Sequence, residues 1–484
     1  MQRKLIFGYS KEGKMGTTLP KCDVPQKTIT DLIPQNLLRE IPNNLPQVSE
    51  PEVVRHYTNL STLNHHIDKD FYPLGSCTMK YNPKINEAIA GNSQFTEIHP
   101  AQLSDTTQGS LKILYEVEKY LCAITGMNAF TLHPAAGAHG ELTGVMIIHK
   151  YHKSKGNKKK YILIPDSAHG TNPASVMLGG FKPIKIKSTE EGLVDIKDLK
   201  SKLNDEVAGF MLTNPNTLGI FEENVLEISK LIHSVDGLMY MDGANMNALL
   251  GIVKTINMGF DITHLNLHKT FSTPHGGGGP GSGPIGVTKR LKKFLPVPIV
   301  VKENDDYKLE YNLPDSIGKI HSYFGNFNVI LKTYVYLRML GEDGLKAVSK
   351  NAIINANYLR KCLKDKFQIA SPKIPMHECV FSGDKQKEKG AKTLDIAKRL
   401  LDYGMHAPTI YFPLIVSEAL MIEPTETESK ETLDRFIEIM LKIDKEIEDN
   451  IDDVKNAPQS TPNSRLDEAS ASRNLDVNYF FKMQ

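Results

Sequence analysis

The chain has 484 residues, 40% of them hydrophobic, so it is long enough to bury a large core in two or more domains. Its 58 basic and 56 acidic residues leave a formal net charge of +2, which indicates neither nucleic acid nor an anionic membrane as a main partner. Five scattered cysteines without a CxxC pair, and the lack of any apolar run near the ~20 residues that cross a bilayer, favour a cytoplasmic protein or an already processed mature form.

The N-terminal part of the chain predicts an extended segment. Residues 1–50 are rich in proline and polar residues and show little periodicity, so we expect them to pack on a larger body such as another subunit. We assign residues 1–90 to this arm. The first amphipathic helix is predicted over 111–126, where apolar residues recur at spacings of three and four.

A run of small residues follows within 133–141 and comes directly before an apolar helix. Because the first N–H groups of a helix have no partner within the helix, such a start is a site for a phosphate group. We expect this segment to lie before the first strand of the sheet, with Ala136, Gly137 and Ala138 as the phosphate-binding residues. No GxxxxGK[ST] motif is present, which excludes a nucleotide P-loop.

Three short apolar runs predict a parallel sheet. They cover residues 161–165, 207–213 and 238–241, and a helix is predicted over 222–233 between the second and the third. Apolar strands that alternate with helices are typical of a parallel sheet covered on both faces. Ligands of such sheets bind beyond the carboxyl ends of the strands.

An aspartate and a lysine near these strand ends indicate the chemistry. Asp242 directly follows the third run, and Lys269 lies in the phrase HLNLHKT at 264–270. Pyridoxal phosphate enzymes need a lysine that forms a Schiff base with the cofactor and a carboxylate that keeps its pyridine nitrogen protonated. The sequence therefore predicts this cofactor. The alternatives are an exposed structural lysine and an aspartate that only caps a turn.

Three further residues at strand ends fit the same cofactor. His169 is predicted to stack on the pyridine ring, and its alternative is a surface or capping role. Thr213 is predicted to bind the ring hydroxyl, or else to serve the turn that follows. Ala244 is small enough to lie against a flat ring, although tight packing alone would explain it equally well.

The neighbours of the lysine complete the predicted site. Asn266 and His268 are counted as cofactor-binding residues, and His268 also joins Lys269, Asp242 and His169 in the predicted catalytic set. The glycines at 276–279 are predicted either to give a backbone that can approach a phosphate, in this or a neighbouring subunit, or to form a simple mobile turn.

The histidines of this region raise the question of a metal. His264 and His268 have the spacing of a helical metal pair, and His275 follows. The segment is strand-like and lacks the Glu–His companion of a helical site, so we expect no metal here.

Helices and short strands after residue 330 predict a smaller α+β domain over 331–448, whereas 91–330 forms the large cofactor-binding domain. The helices are expected near 329–345, 350–365, 388–403 and 429–448, and the strands near 377–381, 408–412 and 419–423. Thr425 and Glu428 have the spacing of a capping box at the start of the last helix. Its expected core face is formed by Leu433, Phe436, Ile437, Met440 and Ile443. Residues 449–484 are predicted to be a polar tail with little core.

Several longer phrases are similar to those of one family. They are PLGSCTMK at 73–80, DSAHGTNPAS at 166–175, MDGANMNALLG at 241–251, LNLHKTFSTPHGGGGPG at 265–281 and MIEPTE at 421–426. Together and in this order they resemble the P-protein of the glycine cleavage system, a pyridoxal-phosphate-dependent decarboxylating glycine dehydrogenase. The resemblance implies an α/β protein of PLP fold type I, which is aminotransferase-like, with a large parallel or mixed sheet.

The resemblance also implies a reaction and partners. The length is that of the separate catalytic subunit, subunit 2, of the two-subunit form. A companion subunit 1 without the Schiff-base lysine is implied, in a heterotetramer with two copies of each. Glycine would lose carbon dioxide, and its aminomethyl group would pass to the lipoyl arm of H-protein, with the dithiolane and not a nicotinamide as oxidant. His268 would either assist proton transfer or pack against the phosphate.

Two other functions are compatible with parts of the sequence. One is a different fold type I reaction, such as that of an aminotransferase or a cysteine desulfurase. An aminotransferase usually needs an arginine in the small domain for a substrate carboxylate, and the TIYFP and MIEPTE segments offer no compelling candidate. The other is a non-catalytic scaffold subunit, which the presence of both Asp242 and Lys269 disfavours.

Overall fold

The structure, a computed structural model, describes residues 4–40, 45–276 and 281–476. The chain divides into two units, residues 1–66 and 67–484. The first unit contains helices α1 (Ile29–Leu32) and α2 (Glu50–Ser61) and short 3-10 helices at Ile6–Tyr9 and Gln35–Leu37. Helix α2 starts at a capping box formed by Ser49 and Glu52.

The second unit alternates helices and strands. Its helices are α3 (Lys84–Ala90), α4 (Ser93–Thr96), α5 (Gln108–Thr125), α6 (Gly137–Ser154), α7 (Thr171–Leu178), α8 (Ile196–Lys202), α9 (Val225–Ser234), α10 (Phe327–Leu363), α11 (Asp384–Glu388), α12 (Thr393–Asp402), α13 (Lys430–Asp449), α14 (Ile451–Lys455) and α15 (Glu468–Arg473). Its strands are β1 (Ala129–Thr131), β2 (Tyr161–Pro165), β3 (Lys182–Ile186), β4 (Val207–Thr213), β5 (Leu238–Gly243), β6 (Ile262–Leu265), β7 (Ile285–Val287), β8 (Ile299–Glu303), β9 (Asp306–Glu310), β10 (Gln368–Ile369), β11 (Cys379–Ser382), β12 (Thr409–Ile410) and β13 (Ala419–Ile422). Short 3-10 helices lie at Ser104–Thr106, Thr255–Met258 and Lys289–Phe294.

A seven-stranded mixed sheet forms the centre of this unit, in the order β1-β7-β6-β5-β4-β2-β3. Strands β2 to β6 pair in parallel, and β7 is antiparallel to both of its neighbours. The predicted strands at 161–165 and 207–213 are confirmed to the residue, and the third extends to Gly243. The predicted α/β class with a large mixed sheet is therefore confirmed.

Successive side chains of the central strands enter two different cores, one on each face of the sheet. Leu163 packs with α5 in one core, whereas Ile162 and Ile164 pack with α6 and α7 in the other. This alternation is what a strand buried on both faces requires, and it explains why the strands read as unbroken apolar runs.

A smaller antiparallel sheet, β10-β11-β13-β12, packs with α12, α13 and the end of α10. Helix α10 runs through 37 residues and kinks at Gly341, whose φ of 61° and ψ of −170° are not helical. The two helices predicted at 329–345 and 350–365 thus belong to one kinked helix, and the kink lies inside the first of them. The expected domain boundary at 330/331 falls inside its first arm and stays a prediction.

Two predictions about helix starts are wrong. Helix α13 begins after Ser429, whose side chain accepts a hydrogen bond from the Thr432 N–H, so Thr425 and Glu428 form no capping box. Helix α9 begins at Val225 and not at 222, because the Glu222 carboxylate accepts hydrogen bonds from the Val194 and Asn224 N–H groups.

The end of the second unit is only partly a polar tail. The predicted core face of α13 is confirmed, since all five of its residues are buried. Val454 in α14 and Ala457 are also fully buried, and α15 is exposed. Within the described residues, no helix combines the length and apolar character needed to span a membrane.

Candidate active site

A cavity of about 200 Å³ lies beyond the carboxyl ends of β4, β5 and β6. It is lined by eight of the ten predicted site residues, namely Gly137, Ala138, His169, Thr213, Asp242, Ala244, Asn266 and Lys269. Ala136 and His268 are not part of its lining. A larger groove of about 600 Å³ lies between α5 and α10, but none of the predicted residues line it.

Asp242, at the end of β5, is a buried and ionised carboxylate. Its oxygens accept hydrogen bonds from Asn172 Nδ2 at 3.0 Å and from the Ala244 N–H at 3.1 Å, and His264 Nε2 lies 3.2 Å away. Burial raises the pKa of Asp242, but His264, these hydrogen bonds and the charge of Lys269 together lower it below its ordinary value. The carboxylate can therefore accept a further hydrogen bond from a cationic ring.

Lys269 enters the cavity from the turn after β6. Its Nζ donates a hydrogen bond to the Ser76 carbonyl oxygen at 2.8 Å. The turn is held by a hydrogen bond from the Lys269 N–H to the Asn266 carbonyl, and by Thr270 Oγ1, which accepts from the Met246 N–H at 2.8 Å. Asp242 and Lys269 thus lie at or just after the ends of the neighbouring strands β5 and β6, and their position near strand ends is what the sequence predicts.

The first turn of α6 forms one wall of the cavity. The segment 133–141 follows β1, so the prediction that it precedes the first strand is wrong; β1 is only three residues long. A Cβ added to Gly137 would lie 2.7 Å from Asn266 Nδ2, which leaves no room for a side chain. Exposed Ala136 is the residue before the helix.

Two buried oxygen atoms of side chains in the cavity wall have no hydrogen-bond partner among the described residues. They are Thr213 Oγ1 and Asn266 Oδ1. Buried polar groups are normally paired, so these two atoms are suited to bind a polar ligand. Together with an ionised carboxylate, an amine and a helix start, they fit pyridoxal phosphate, which carries a cationic ring nitrogen, a hydroxyl and a phosphate.

His169 lies exposed at the edge of the cavity. Its Nδ1 is 3.0 Å from Thr171 Oγ1, and its ring contacts Phe412 edge-on at 5.7 Å between centroids. These contacts hold the ring in the cavity lining. Stacking on the cofactor stays a prediction.

His268 does not line the cavity. Its Nδ1 accepts a hydrogen bond from the Ser282 N–H at 3.3 Å, and its ring meets His275 edge-on. Burial, with the charges of His275 and Lys269, lowers the pKa of His268 to about 3, so its ring is neutral. The predicted role of glycines 277–279 lies outside the described residues.

Sequence reasoning missed a group of residues from distant parts of the chain. Ser76, His377 and Glu378 also line the cavity, and the Ser76 N–H donates a hydrogen bond to Glu378 Oε2 at 2.8 Å. The segment around Ser76 approaches β13 so closely that a Cβ on Gly75 would lie 2.1 Å from Met421 Cγ. The only feature of the sequence that could have indicated these residues was the phrase at 73–80, and this phrase carries no recognisable catalytic pattern by itself.

A buried ion pair anchors the segment that carries Ser76. Lys80 Nζ lies 2.7 Å from Glu426 Oε1 and 3.2 Å from the Tyr336 hydroxyl. Burial lowers the pKa of Lys80, whereas Glu426 and Tyr336 raise it. The net effect is a pKa above the ordinary value of a lysine. The pair therefore stays ionised.

Lys80→Met should destabilise the protein by about 3–5 kcal/mol, since it leaves the Glu426 charge without its partner in a buried place. Chemical unfolding monitored by circular dichroism measures this loss. Lys84→Met is the matched control, because the Lys84–Asp68 pair is exposed and should contribute at most about 1 kcal/mol. Equal stability of the two variants would contradict the anchoring role.

Comparisons with known proteins show the family to which the chain is similar. The glycine cleavage system P-protein family profile matches residues 15–313, and the glycine dehydrogenase C-terminal domain profile matches 348–469. A protein of Chloroherpeton thalassium, named probable glycine dehydrogenase (decarboxylating) subunit 2, is 57% identical over 99% of this chain and 98% of its own length. A protein of the same name from Caldanaerobacter subterraneus is 59% identical over 97% of both chains.

Solved structures share the fold. A glycine decarboxylase (P-protein) of the glycine cleavage system superposes with a TM-score of 0.73 at 19% identity, covering 86% of this chain and 95% of that one. The glutamate decarboxylase of Lactobacillus brevis superposes with a TM-score of 0.66 at 13% identity, covering 92% of this chain and 98% of its own.

Proposed function

Because the chain belongs to the glycine cleavage system P-protein family, we propose that it decarboxylates glycine and transfers the aminomethyl group to the lipoyl disulfide of H-protein. One observation carries the proposal: the Asp242 carboxylate and the Lys269 amine line the same small cavity. This pair is what pyridoxal phosphate chemistry requires.

The residues of the cavity have distinct tasks in holding the cofactor. Lys269 would bind its aldehyde carbon, and Asp242 its ring nitrogen. Thr213 and Asn266 would receive polar groups, and the N–H groups of Gly137 and Ala138 the phosphate. When bound, pyridoxal phosphate withdraws electrons from the bond that breaks at the substrate.

The chain's own residues favour loss of the carboxylate over its retention. Of the described residues that line the cavity, Lys269 is the sole lysine or arginine. A strong cationic clamp would stabilise the substrate carboxylate in the ground state and oppose its departure as neutral carbon dioxide. The small volume also suits an amino acid without a side chain.

The proposed partners of this reaction follow from the family to which the chain belongs. The relatives are named subunit 2, which implies a companion subunit 1. We include in the proposal a heterotetramer with two copies of each subunit, a lipoylated H-protein as acceptor, and a cytoplasmic location.

Exchange of labelled bicarbonate into the glycine carboxyl group tests the proposed function. We expect exchange when the chain is combined with its companion subunit and lipoylated H-protein, and none with alanine in place of glycine. Exchange with alanine and not glycine would contradict the substrate assignment. Amino-group transfer to a keto acid, or sulfur release from cysteine, would support the alternative fold type I reactions.

Gly137→Ala should weaken cofactor binding by about tenfold or more, because the new methyl group displaces the Asn266 amide from the cavity wall. Titration of the apoprotein with pyridoxal phosphate, followed by absorbance, gives the dissociation constant. Gly109→Ala is the matched control, since Gly109 also lies in the first turn of an 18-residue helix but has nothing within 4 Å of the added Cβ. Equal dissociation constants for the two variants would exclude Gly137 from the binding wall.

A further inference from the structure

Two glutamates lie close together beside Lys269 and take no part in the cofactor binding described above. Oxygen atoms of Glu378 and Glu423 and a ring nitrogen of His377 all lie within 4.8 Å of one another, and all three residues are buried. Glu378 and His377 line the active cavity. Two carboxyl groups this close in a buried place cannot both be ionised, so one of them keeps a proton.

The hydrogen bonds decide which carboxyl group holds the proton. Glu423 accepts from the Thr78 N–H at 2.9 Å, from Thr78 Oγ1 at 2.8 Å and from Asn245 Nδ2 at 2.8 Å. Glu378 accepts from the Ser76 N–H. Because donated hydrogen bonds stabilise the charged form, the negative charge belongs on Glu423 and the proton on Glu378.

The electrostatic surroundings of Glu378 point the same way. Burial raises the pKa of Glu378, and the charge of Glu423 raises it further. The Ser76 N–H and the charge of Lys269 act in the opposite direction, but the pKa stays well above its ordinary value. Glu378 is therefore a neutral carboxylic acid at neutral pH, in the cavity where the reaction takes place.

Two other neighbours of Glu378, His377 and Cys77, have no comparable proton to give. Burial lowers the pKa of His377 to about 3, so its ring is neutral. Burial raises the pKa of the Cys77 thiol, which makes it a weaker acid. His377 Nε2 is 3.8 Å from Glu378 Oε1, beyond hydrogen-bond distance, so this oxygen is not committed to the imidazole.

The remaining carboxylates of the cavity are already engaged. The oxygens of Glu141 accept hydrogen bonds from Thr171 Oγ1 at 2.7 Å and from Ser175 Oγ at 2.9 Å. Asp242 is ionised, and its carboxylate is the group that would bind the ring nitrogen of the cofactor. Of the described carboxyl groups that line the cavity, Glu378 is thus the one suited to donate a proton.

We propose that Glu378 is a further catalytic residue, which gives its carboxyl proton to the sulfur atom that leaves when the aminomethyl group is transferred. The proposal rests on the proposed function. The bond between the carboxyl carbon and the α-carbon of glycine breaks, and its electron pair forms the new carbon–sulfur bond. The sulfur–sulfur bond breaks, so glycine is oxidised and the disulfide reduced. The leaving sulfur takes the proton of Glu378 and becomes a thiol, and Glu378 regains a proton from solvent.

Glu378→Gln separates proton donation from hydrogen bonding. Glutamine has the shape of the neutral acid and can still accept from the Ser76 N–H, but it has no proton to transfer. With the companion subunit and lipoylated H-protein present, we expect kcat for aminomethyl transfer to fall by about 10²-fold or more. Cofactor affinity and thermal stability should stay as in the wild type, because the variant replaces a neutral group by a neutral group. A kcat equal to that of the wild type would overturn the proposal.

The pH profile of kcat provides a second readout. As pH rises through the raised pKa of Glu378 the donor loses its proton, so kcat should fall on the alkaline side. Glu423→Gln removes the neighbouring charge and should move this fall to lower pH, whereas Glu378→Gln should lack it. An unchanged alkaline fall in Glu378→Gln would overturn the assignment. A wild-type mixture that forms no aminomethyl product would instead refute the proposed function itself.

Discussion

Replacing Lys269 by alanine should abolish covalent attachment of the cofactor and lower the rate of glycine decarboxylation by about 10⁴-fold or more. The side-chain amine is the group that would bind the cofactor aldehyde, and it is already held at the cavity by the Ser76 carbonyl. The visible absorbance of the purified protein and the release of labelled carbon dioxide from glycine measure the two effects.

Lys269→Arg distinguishes the nucleophile from the charge at this position. A guanidinium keeps the positive charge beside Asp242 but does not form the bond to the aldehyde, so this variant should be as inactive as the alanine variant. Lys200→Ala is a suitable control, since Lys200 pairs with Glu227 on the surface, and should behave as the wild type. Retention of the absorbance band in Lys269→Ala would place the cofactor on another lysine.

Replacing Asp242 by asparagine should lower kcat by about 10²-fold while the cofactor stays bound to Lys269. An amide cannot hold the ring nitrogen in its protonated form, and loss of a charge-assisted hydrogen bond costs about 3 kcal/mol. The absorbance spectrum should change as well, because it reports the protonation of the ring. Single-turnover rates with saturating glycine separate this loss from weaker cofactor binding.

Glu141→Gln is the matched control for Asp242→Asn. Glu141 is another buried carboxylate of the same cavity, but its oxygens are engaged by two hydroxyl groups. We expect less than about a tenfold effect on kcat and an unchanged spectrum, because the amide oxygen can still accept from one hydroxyl while the amide N–H donates to the other. If the two variants lose the same activity, the charge of Asp242 has no special role.

The central sheet and its ligand-binding edge could be predicted from sequence because both are encoded locally. Strands buried on both faces read as short apolar runs, and parallel pairing brings their carboxyl ends together. Asp242, Thr213 and Lys269 were therefore placed in one site without any knowledge of long-range contacts.

The acidic wall of the cavity could not be predicted in this way. Ser76 and Glu378 are 302 residues apart in the chain, yet a hydrogen bond joins them. Neither belongs to a periodic pattern, and a glutamate before a strand is unremarkable on its own. Their meeting depends on the fit of the Gly75 backbone against Met421, which only the packed structure reveals.

The exact ends and kinks of the helices could not be predicted from the sequence either. The helix α10 was predicted as two helices with a gap at 346–349, but it bends at Gly341, where a left-handed φ interrupts it. Apolar periodicity continues on both sides of the kink, so the pattern alone does not locate the bend. The predicted helix near 429–448 agrees with α13, but its cap is Ser429 and not the predicted capping box of Thr425 and Glu428.

Reduction of the cofactor-loaded protein with borohydride, followed by proteolysis and mass spectrometry, tests the central claim most directly. Reduction makes the link between lysine and cofactor permanent. We predict one modified peptide, with the pyridoxyl group on Lys269, and a large loss of cofactor affinity when Asp242 is replaced by alanine. Modification of a different lysine, or cofactor binding that is indifferent to Asp242, would contradict the account.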